Sequence, residues 1–329
     1  MRDTKKIVIA GASSLLGTEL RSLLEESRFA GADIRLLDEE LAAGTLTEAA
    51  GEAAVIQAVE EESFARAGLV FFSGSADFTA GNLTAARASG ARVIDLSGAT
   101  LAERDCVSWF PGLDALLGRE FAREGKLFAV PSAAATGASL LTLALAKLGV
   151  TRVAVVSFQP VSEAGRVGVE ELESQTGQLL SFQGVGQPVF DAQVAFNMLD
   201  RYGPESAQKL GVTRQRLVAE VKGCVGAKVV APALQLIAAP VFYGSAFSAY
   251  AELGADATAE QVVNVCQEAG FVVATDATGP SNVSVAGERF VHLARPEKDL
   301  ARAGGWWFWG AADNMRLPAA NAVKLAEML

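Results

Sequence analysis

The chain has 329 residues, with 28 Lys+Arg against 38 Asp+Glu, a formal net charge of −10, and half of its residues apolar. That length suggests two domains, and so apolar a composition excludes general disorder. The acidic balance argues against nucleic acid or an anionic membrane surface as partner, because both would be repelled.

Three scattered cysteines and one histidine, His292, give neither a disulfide framework nor the clustered ligands that a zinc site needs. No metal is expected, and free thiols fit a reducing, cytoplasmic compartment. Met1 to Lys6 runs straight into a strand-like segment with no signal-peptide pattern.

Along the first part of the chain, short apolar runs alternate with helical patterns. Strands are expected at Lys5–Ala10, Ile34–Leu37, Leu69–Ser73, Arg92–Leu96 and Lys126–Val130. Helices are expected at Ser14–Glu26, where Leu16, Leu20, Leu23 and Leu24 share a face, and at Thr79–Ser89. Strands that are apolar throughout and separated by helices imply a parallel, doubly wound sheet covered on both faces. We assign residues 1–130 to this Rossmann-type α/β domain, with a closing helix within 313–329 returning to it.

The style changes afterwards. Expected strands at Arg152–Val161, Gln235–Tyr243, Ser245–Leu253, Phe271–Thr275, Phe290–Arg295 and Trp306–Ala311 alternate or run long, and few helices intervene besides Ala259–Ala269. This pattern predicts an α+β domain over 131–312 with a mostly antiparallel or mixed sheet. In its last strand Trp307 and Trp309 fall on one side and Trp306 and Phe308 on the other, so a partner subunit could cover one face. Two uncharged stretches, Leu127–Ala146 and Val229–Ala251, are long enough to span a bilayer. Pro131, Gly137, Pro232 and Pro240 interrupt them, and they read as buried strands, turns or a buried helix rather than as membrane segments.

The strongest local signal is the strand, then G-A-S-S-L-L-G at Gly11–Gly17, then the helix. A tight turn there aims backbone N–H groups and a helix N-terminus at a pyrophosphate. Ser14 replaces the middle glycine of the usual spacing and could equally serve as a helix cap. Asp38 ends the second strand, where an acid takes the ribose hydroxyls of NAD. With Glu39 and Glu40 beside it, a 2′-phosphate would meet like charge, so NAD is favoured over NADP if a dinucleotide binds. The residues leave open whether any nucleotide binds.

Further motifs follow in order: F-F-S-G-S at Phe71–Ser75, V-S-F-Q-P-V-S-E-A-G at Val156–Gly165, A-F-N-M-L at Ala195–Leu199, P-V-F-Y-G at Pro240–Gly244, and D-N-M-R-L-P-A-A-N-A-V at Asp313–Val323. With the first turn, these resemble the aspartate-semialdehyde dehydrogenase family along nearly the whole chain. The resemblance implies a Rossmann domain, a dimer-forming α+β domain, and an oxidoreductase of amino-acid biosynthesis. Such enzymes reversibly oxidise an amino-acid aldehyde with NADP through a cysteine thioester that phosphate then cleaves. It also implies a cofactor-binding set of Gly11, Ser13, Ser14, Leu16, Gly17, Asp38, Ser73, Gly74 and Asn314.

That chemistry needs a thiolate, an acid/base histidine and an arginine for the substrate carboxylate. The family's slots are occupied otherwise here. The cysteine slot falls within Val130–Gly137, where Ala133, Ala134, Ala135 and Thr136 carry no thiol. Ala238 stands for the arginine and Ser245 for the histidine. The phosphate-binding arginine and lysine fall near Leu101 and Gly223, and Glu163 enters a loop that is otherwise small. Gln159 and Glu220 alone keep their family identities.

Ser132, Thr136 and Ser245 offer hydroxyls, which are poor nucleophiles without a base. Cys224 and His292 read as structural. Two readings follow: a homodimer with its thioester chemistry lost, which retains nucleotide binding or serves as a regulatory or hetero-oligomer partner, or an active NAD(P)-dependent oxidoreductase with a non-standard site.

Overall fold

The structure, a computed structural model, describes residues 6–49, 52–60, 62–227, 229–254 and 256–329. The expectation about Met1 to Lys6 therefore lies, up to residue 5, outside the described residues. The chain divides into two compact units: Met1–Asp114, Arg119–Pro131 and Pro318–Leu329 form the first, and Ala115–Gly118 with Ser132–Leu317 form the second.

In the first unit, β1 (Lys6–Ala10), α1 (Leu15–Glu25), β2 (Ile34–Asp38), the hairpin β3 (Leu46–Ala49) and β4 (Glu52–Val55), and β5 (Gln57–Ala58) are followed by β6 (Ala67–Phe72), α2 (Ala76–Ala88), β7 (Arg92–Asp95), β8 (Cys106–Ser108), α3 (Leu113–Leu117) and β9 (Leu127–Ala129). Seven strands join in the order β5-β2-β1-β6-β7-β9-β8, with every pairing parallel. The doubly wound sheet is thus as expected.

Alternation explains its two covers. Ile7 and Ile9 of β1 face a cluster with Leu20, Leu23 and Leu24 of α1 and with Ala319, Ala322, Leu325 and Ala326 near the C-terminus. Val8 and Ala10 face the opposite cluster, which holds Ala86 of α2. The hairpin, β5 and β8 are additional to the sequence reading. They are short and polar, and carry no hydrophobic period strong enough to announce a strand.

The second unit holds α4 (Ala133–Ala146), β10 (Arg152–Gln159), α5 (Arg166–Leu180), α6 (Leu210–Val225), β11 (Ala233–Ala238), β12 (Ser245–Glu252), α7 (Ala259–Ala269), β13 (Val272–Val273), β14 (His292–Leu293), β15 (Glu297–Lys298) and β16 (Gly305–Ala312). The last helix, α8 (Arg316–Met328), starts in this unit, and its Pro318 onward groups with the first. The sheet runs β11-β10-β12-β16-β14-β13, with β15 also paired to β16. It is mixed: β10–β11 and β13–β14 are parallel, whereas β10–β12, β12–β16 and β14–β16 are antiparallel.

The helices α5 and α6 were not anticipated, and α4 is the buried helix that was one reading of Leu127–Ala146, a stretch that also holds β9. Almost every residue of α4 is buried, so it has no polar face to give a helical period. Burial within the fold also explains the membrane-like look of that stretch. No described helix is long and apolar enough to cross a membrane. The expected strand Gln235–Tyr243 stops at Ala238, because Pro240 cannot donate to a ladder.

Tryptophans on β16 alternate as expected. Trp306 and Phe308 are buried, whereas Trp307 and Trp309 are 46% and 39% exposed. Trp307 pairs with Tyr250 and Trp309 with Ser248 across β12. The Trp309 ring lies 5.9 Å from that of Phe158. One sheet face thus carries an aromatic ladder that the described residues leave partly bare.

Candidate functional site

The first unit brings the turn after β1 against the turn after β6. The sheet order reverses between these neighbours, and such a switch point opens a crevice at the carboxyl ends of the strands. Gly11 has φ +92°, and a Cβ there would stand 2.1 Å from the Gly74 nitrogen. A Cβ on Gly17 would stand 2.4 Å from the Gly11 carbonyl. These two glycines are required by the close approach of the turns.

Ser14 is the N-cap of α1. Its hydroxyl accepts the Gly17 N–H at 2.8 Å and donates to the Ser73 carbonyl at 2.8 Å. The Ser73 hydroxyl in turn donates to Gly11 O at 3.1 Å. The serine that interrupts the glycine spacing is therefore a bolt between the two turns as well as a cap.

Asp38 is buried at the end of β2. One of its oxygens accepts the Ser13 N–H at 2.7 Å and the other the Glu39 N–H at 2.9 Å. Each oxygen keeps a second lone pair. The Ser13 N–H is therefore committed inside the turn, while Leu15 and Leu16 begin the first turn of α1, whose N–H groups have no intrahelical acceptor. As a donor and acceptor set this turn fits a nucleotide: N–H groups at a helix N-terminus for phosphate, and carboxylate lone pairs for a ribose diol.

Asn314, the remaining residue of the expected cofactor set, is buried in the second unit, where its oxygen accepts the Gly244 N–H at 2.8 Å. Its nitrogen donates to the Ser162 hydroxyl at 3.1 Å and to a Glu163 carboxylate oxygen at 3.0 Å. All of its hydrogen-bonding capacity is used in tying these loops together.

Within the second unit a small cavity of about 30 Å³, room for one water-sized group, gathers most of the remaining candidates. Ser132, Ala134, Gln159, Glu220 and Ser245 line it, as does Glu163. Ala133, Ala135 and Thr136 lie in the first turn of α4 behind Ser132, which caps that helix. Ala238 is the register partner of Gln159 on the neighbouring strand.

The sequence reading missed Arg216, Thr213 and Ser157, which line the same cavity. Arg216 could have been found from its spacing of four to Glu220 once α6 was known to be helical. Ser157 shares the face of β10 that carries Gln159, two residues on.

The polar groups of the cavity are tightly tied, beside apolar walls from Ala134, Leu217 and Leu236. Ser132 donates its hydroxyl proton to Glu220 at 2.6 Å, and Arg216 donates to the other Glu220 oxygen at 2.9 Å. Glu220 is almost fully buried, and Arg216 is about a third exposed. Protein packed around Glu163 raises its carboxyl pKa by desolvation. The Asn314 hydrogen bond and the Arg216 charge pull it down, and the Glu220 charge pushes it up. The net direction is upward, because desolvation is the largest of these effects.

None of the three thiols lines the cavity. Burial pushes Cys106 up to about 11 and Cys266 up to about 12, which keeps both protonated near neutrality. Cys224 is buried on α6, one turn beyond Glu220. His292 is half-buried on β14, 3.7 Å from Glu288. No group of described His, Cys, Asp and Glu residues could hold a metal ion.

Comparison with known proteins agrees with this architecture. Residues 6–118 match the family described as semialdehyde dehydrogenase, NAD binding domain, and residues 140–317 match semialdehyde dehydrogenase, dimerisation domain. A USG-1 protein homolog of Azotobacter vinelandii is 30% identical over 98% of this chain and 97% of its own length. Aspartate-semialdehyde dehydrogenase 2 of Vibrio cholerae is 28% identical over 100% of this chain and 98% of its own. The solved structure of a probable aspartate-semialdehyde dehydrogenase from Pseudomonas aeruginosa superposes with a TM-score of 0.88 at 29% identity, covering 98% of both chains. The switch-point turn, the mixed second sheet and these matches lead to one conclusion: the chain belongs to the semialdehyde dehydrogenase family and carries both its NAD-binding and its dimerisation domain.

Proposed function

We propose that this protein is a semialdehyde dehydrogenase homologue in which the thioester chemistry has been lost, while the nucleotide turn and the dimer-forming sheet are kept. The observation that carries this reading is the cavity that holds Gln159 and Glu220. Its walls are the apolar side chains of Ala134, Leu217 and Leu236 with hydroxyls, carboxylates, an amide and one guanidinium, and among the described residues that line it there is no thiol and no imidazole. An aldehyde becomes a thioester only where a thiolate can attack it. Ala238 and Ser245, in the slots of the arginine and the histidine, offer neither a carboxylate clamp nor a general base.

The nucleotide reading rests on Gly11, Ser14, Leu16, Gly17, Ser73 and Gly74 around the switch-point turn, and on Asp38. When bound, the dinucleotide would supply hydride chemistry. Asp38 would take its ribose hydroxyls, and the Asp38–Glu40 acids would repel a 2′-phosphate, so NAD is the expected ligand over NADP. A homodimer would cover the face bearing Trp307 and Trp309. The three cysteines are free thiols, and we place the protein in the cytoplasm.

A second reading has one observation in its favour. The short Ser132–Glu220 hydrogen bond joins a hydroxyl to a carboxylate at the N-terminus of α4, and Ser132 could be the nucleophile of an active oxidoreductase. One assay separates the two: aspartate semialdehyde with phosphate and either NAD or NADP, on the wild-type chain and on Ser132→Ala. No phosphate-dependent reduction of cofactor is expected. Turnover that Ser132→Ala abolishes would establish the second reading instead, and turnover that persists in that variant would reject both. Thermal unfolding with NAD and with NADP tests the cofactor, since a ligand bound only to the folded state raises its midpoint. A rise with NAD alone is expected, and a rise with NADP alone would overturn the assignment.

A further inference from the structure

The first unit has a pocket at the edge of its sheet opposite the nucleotide turn. It opens at the N-terminal ends of β1, β6 and β7, which supply Ile7, Gly68 with Leu69, and Arg92. The loop from Arg28 to Ala32 and the end of α8 complete it. Its volume is about 430 Å³, within the roughly 300–1,000 Å³ of small-molecule sites. None of its lining residues belongs to the nucleotide turn or to the second-unit cavity.

The floor of this pocket is apolar. Ile7, Leu69 and Ala326 are buried members of the core cluster, and Phe29, Ala32 and Leu329 pack on it. Arg28 and Arg92 bring charge to that floor, and no aspartate or glutamate is among the described residues that line it. In a chain of net charge −10, two cations thus stand over apolar surface with no acid in the lining. Main-chain oxygens orient both guanidiniums. Arg28 donates to the Ala326 carbonyl at 3.0 Å, and its guanidinium lies 5.0 Å from the centre of the Phe29 ring. Arg92 donates to the Leu329 main-chain oxygen and, at 3.3 Å, to the Arg123 carbonyl. The two arginines are thereby fixed at one end of α8, whose last carbonyls have no intrahelical donor. That role occupies a minority of their N–H groups and leaves both positive charges uncancelled within the pocket.

We propose that this pocket binds an organic carboxylate with an apolar body. The carboxylate sits between the Arg28 and Arg92 guanidiniums, whose planar forks suit it, and it supplies the missing negative charge. The apolar body covers Ile7, Phe29, Leu69 and Ala326, which removes their surface from water. An inorganic anion would answer the arginines but leave that floor wet. An apolar cation would cover the floor but meet two like charges. The inference goes beyond the proposed function and holds whether or not the thioester chemistry is kept, because the pocket shares no residue with either site.

Calorimetric titration of the full chain with sodium hexanoate tests this, with sodium acetate, inorganic phosphate and hexylammonium chloride as arms at matched ionic strength. Hexanoate is expected to bind. Acetate, which leaves the floor uncovered, and phosphate should each bind roughly tenfold more weakly or not at all, and hexylammonium should not bind. Arg28→Gln should weaken hexanoate about tenfold, as the loss of a charge-assisted hydrogen bond implies, and Arg92→Gln by a similar factor. Arg28 is exposed, so its variant is expected to fold. Hexanoate affinity unchanged in Arg28→Gln would mean that this arginine serves the end of α8 alone, and would overturn the proposal. Absence of hexanoate binding to the wild type, phosphate binding as tight as that of hexanoate, or equal binding of hexylammonium would do the same. The wild-type titrations decide the matter even if Arg92→Gln folds poorly.

Discussion

The turn of the first unit and the cavity of the second were both inherited from one family, and they have diverged differently. In the turn, a serine has replaced a glycine, yet its hydroxyl bolts together the two loops that the glycines allow to touch. In the cavity the walls still stand, with Gln159, Glu220 and the capped α4 terminus in place, and on the proposed reading the reactive groups have given way to a residue within Ala133–Thr136, to Ala238 and to Ser245. Backbone geometry is held by sterics that tolerate few substitutions, whereas a reactive side chain can be exchanged for a small one without unfolding anything. On that reading, divergence removes chemistry sooner than it removes shape.

The sharpest way to break this contrast is Gly11→Ala. A methyl group 2.1 Å from the Gly74 nitrogen, on a backbone at φ +92°, should cost roughly 3 kcal/mol or more, read as a lower urea midpoint. A small loss would mean that the two turns are not pressed together.

Next comes Glu220→Ala, which removes a carboxylate from beside Arg216 and the Ser132 hydroxyl. Because Arg216 is about a third exposed, we expect about 2 kcal/mol rather than the full cost of a buried unpaired charge. Glu220→Gln should recover part of it. Equal stability of Glu220→Ala and wild type would show that this network only decorates the cavity.

Ser14→Ala removes a helix cap and the bolt to Ser73, for about 1 kcal/mol. Restoring glycine at this position should recover more stability than alanine if the cap dominates, and less if the bolt does.

The smallest effect is in pH. The folded pKa of Glu163 is raised, so its contribution to stability is fully present below the ordinary glutamate pKa and is lost as pH rises through the folded value. Arg216, Glu220 and the Tyr202 phenol face this carboxyl, and Asn314 hydrogen-bonds it. Wild type should therefore lose stability relative to Glu163→Gln across that rise, measured as midpoint differences at several pH values. The opposite slope would mean that Arg216 outweighs desolvation.

Much of the fold was legible because its signals are local. The β1 run, the Gly11–Gly17 turn and the leucine face of α1 lie within one window and declare strand, turn and helix. The helices α5 and α6 did not declare themselves, since both carry mixed faces with glycine and glutamine along them. The residues that shape the cavity were harder still. Arg216 reads as one more surface cation until α6 is known, and Ser157 reads as a polar interruption of a strand until the cavity beside it is seen. Asn314 was expected at the nucleotide because of its motif, and nothing local announced its hydrogen bonds to Ser162, Glu163 and Gly244, three residues distant in sequence.

The sequence by itself determined the class of each layer: parallel and doubly wound first, mixed second, with a glycine turn at the switch point and no thiol at the expected slot. Periodicity and turn chemistry are written residue by residue, so they survive without coordinates. Only the tertiary structure decided which side chains share a space. It brought Ser132 of α4, Ser157 of β10, Glu163 of the loop after it, and Arg216 with Glu220 of α6 around one small cavity. That grouping depends on strand register and helix packing between segments far apart in the chain, which no local pattern encodes.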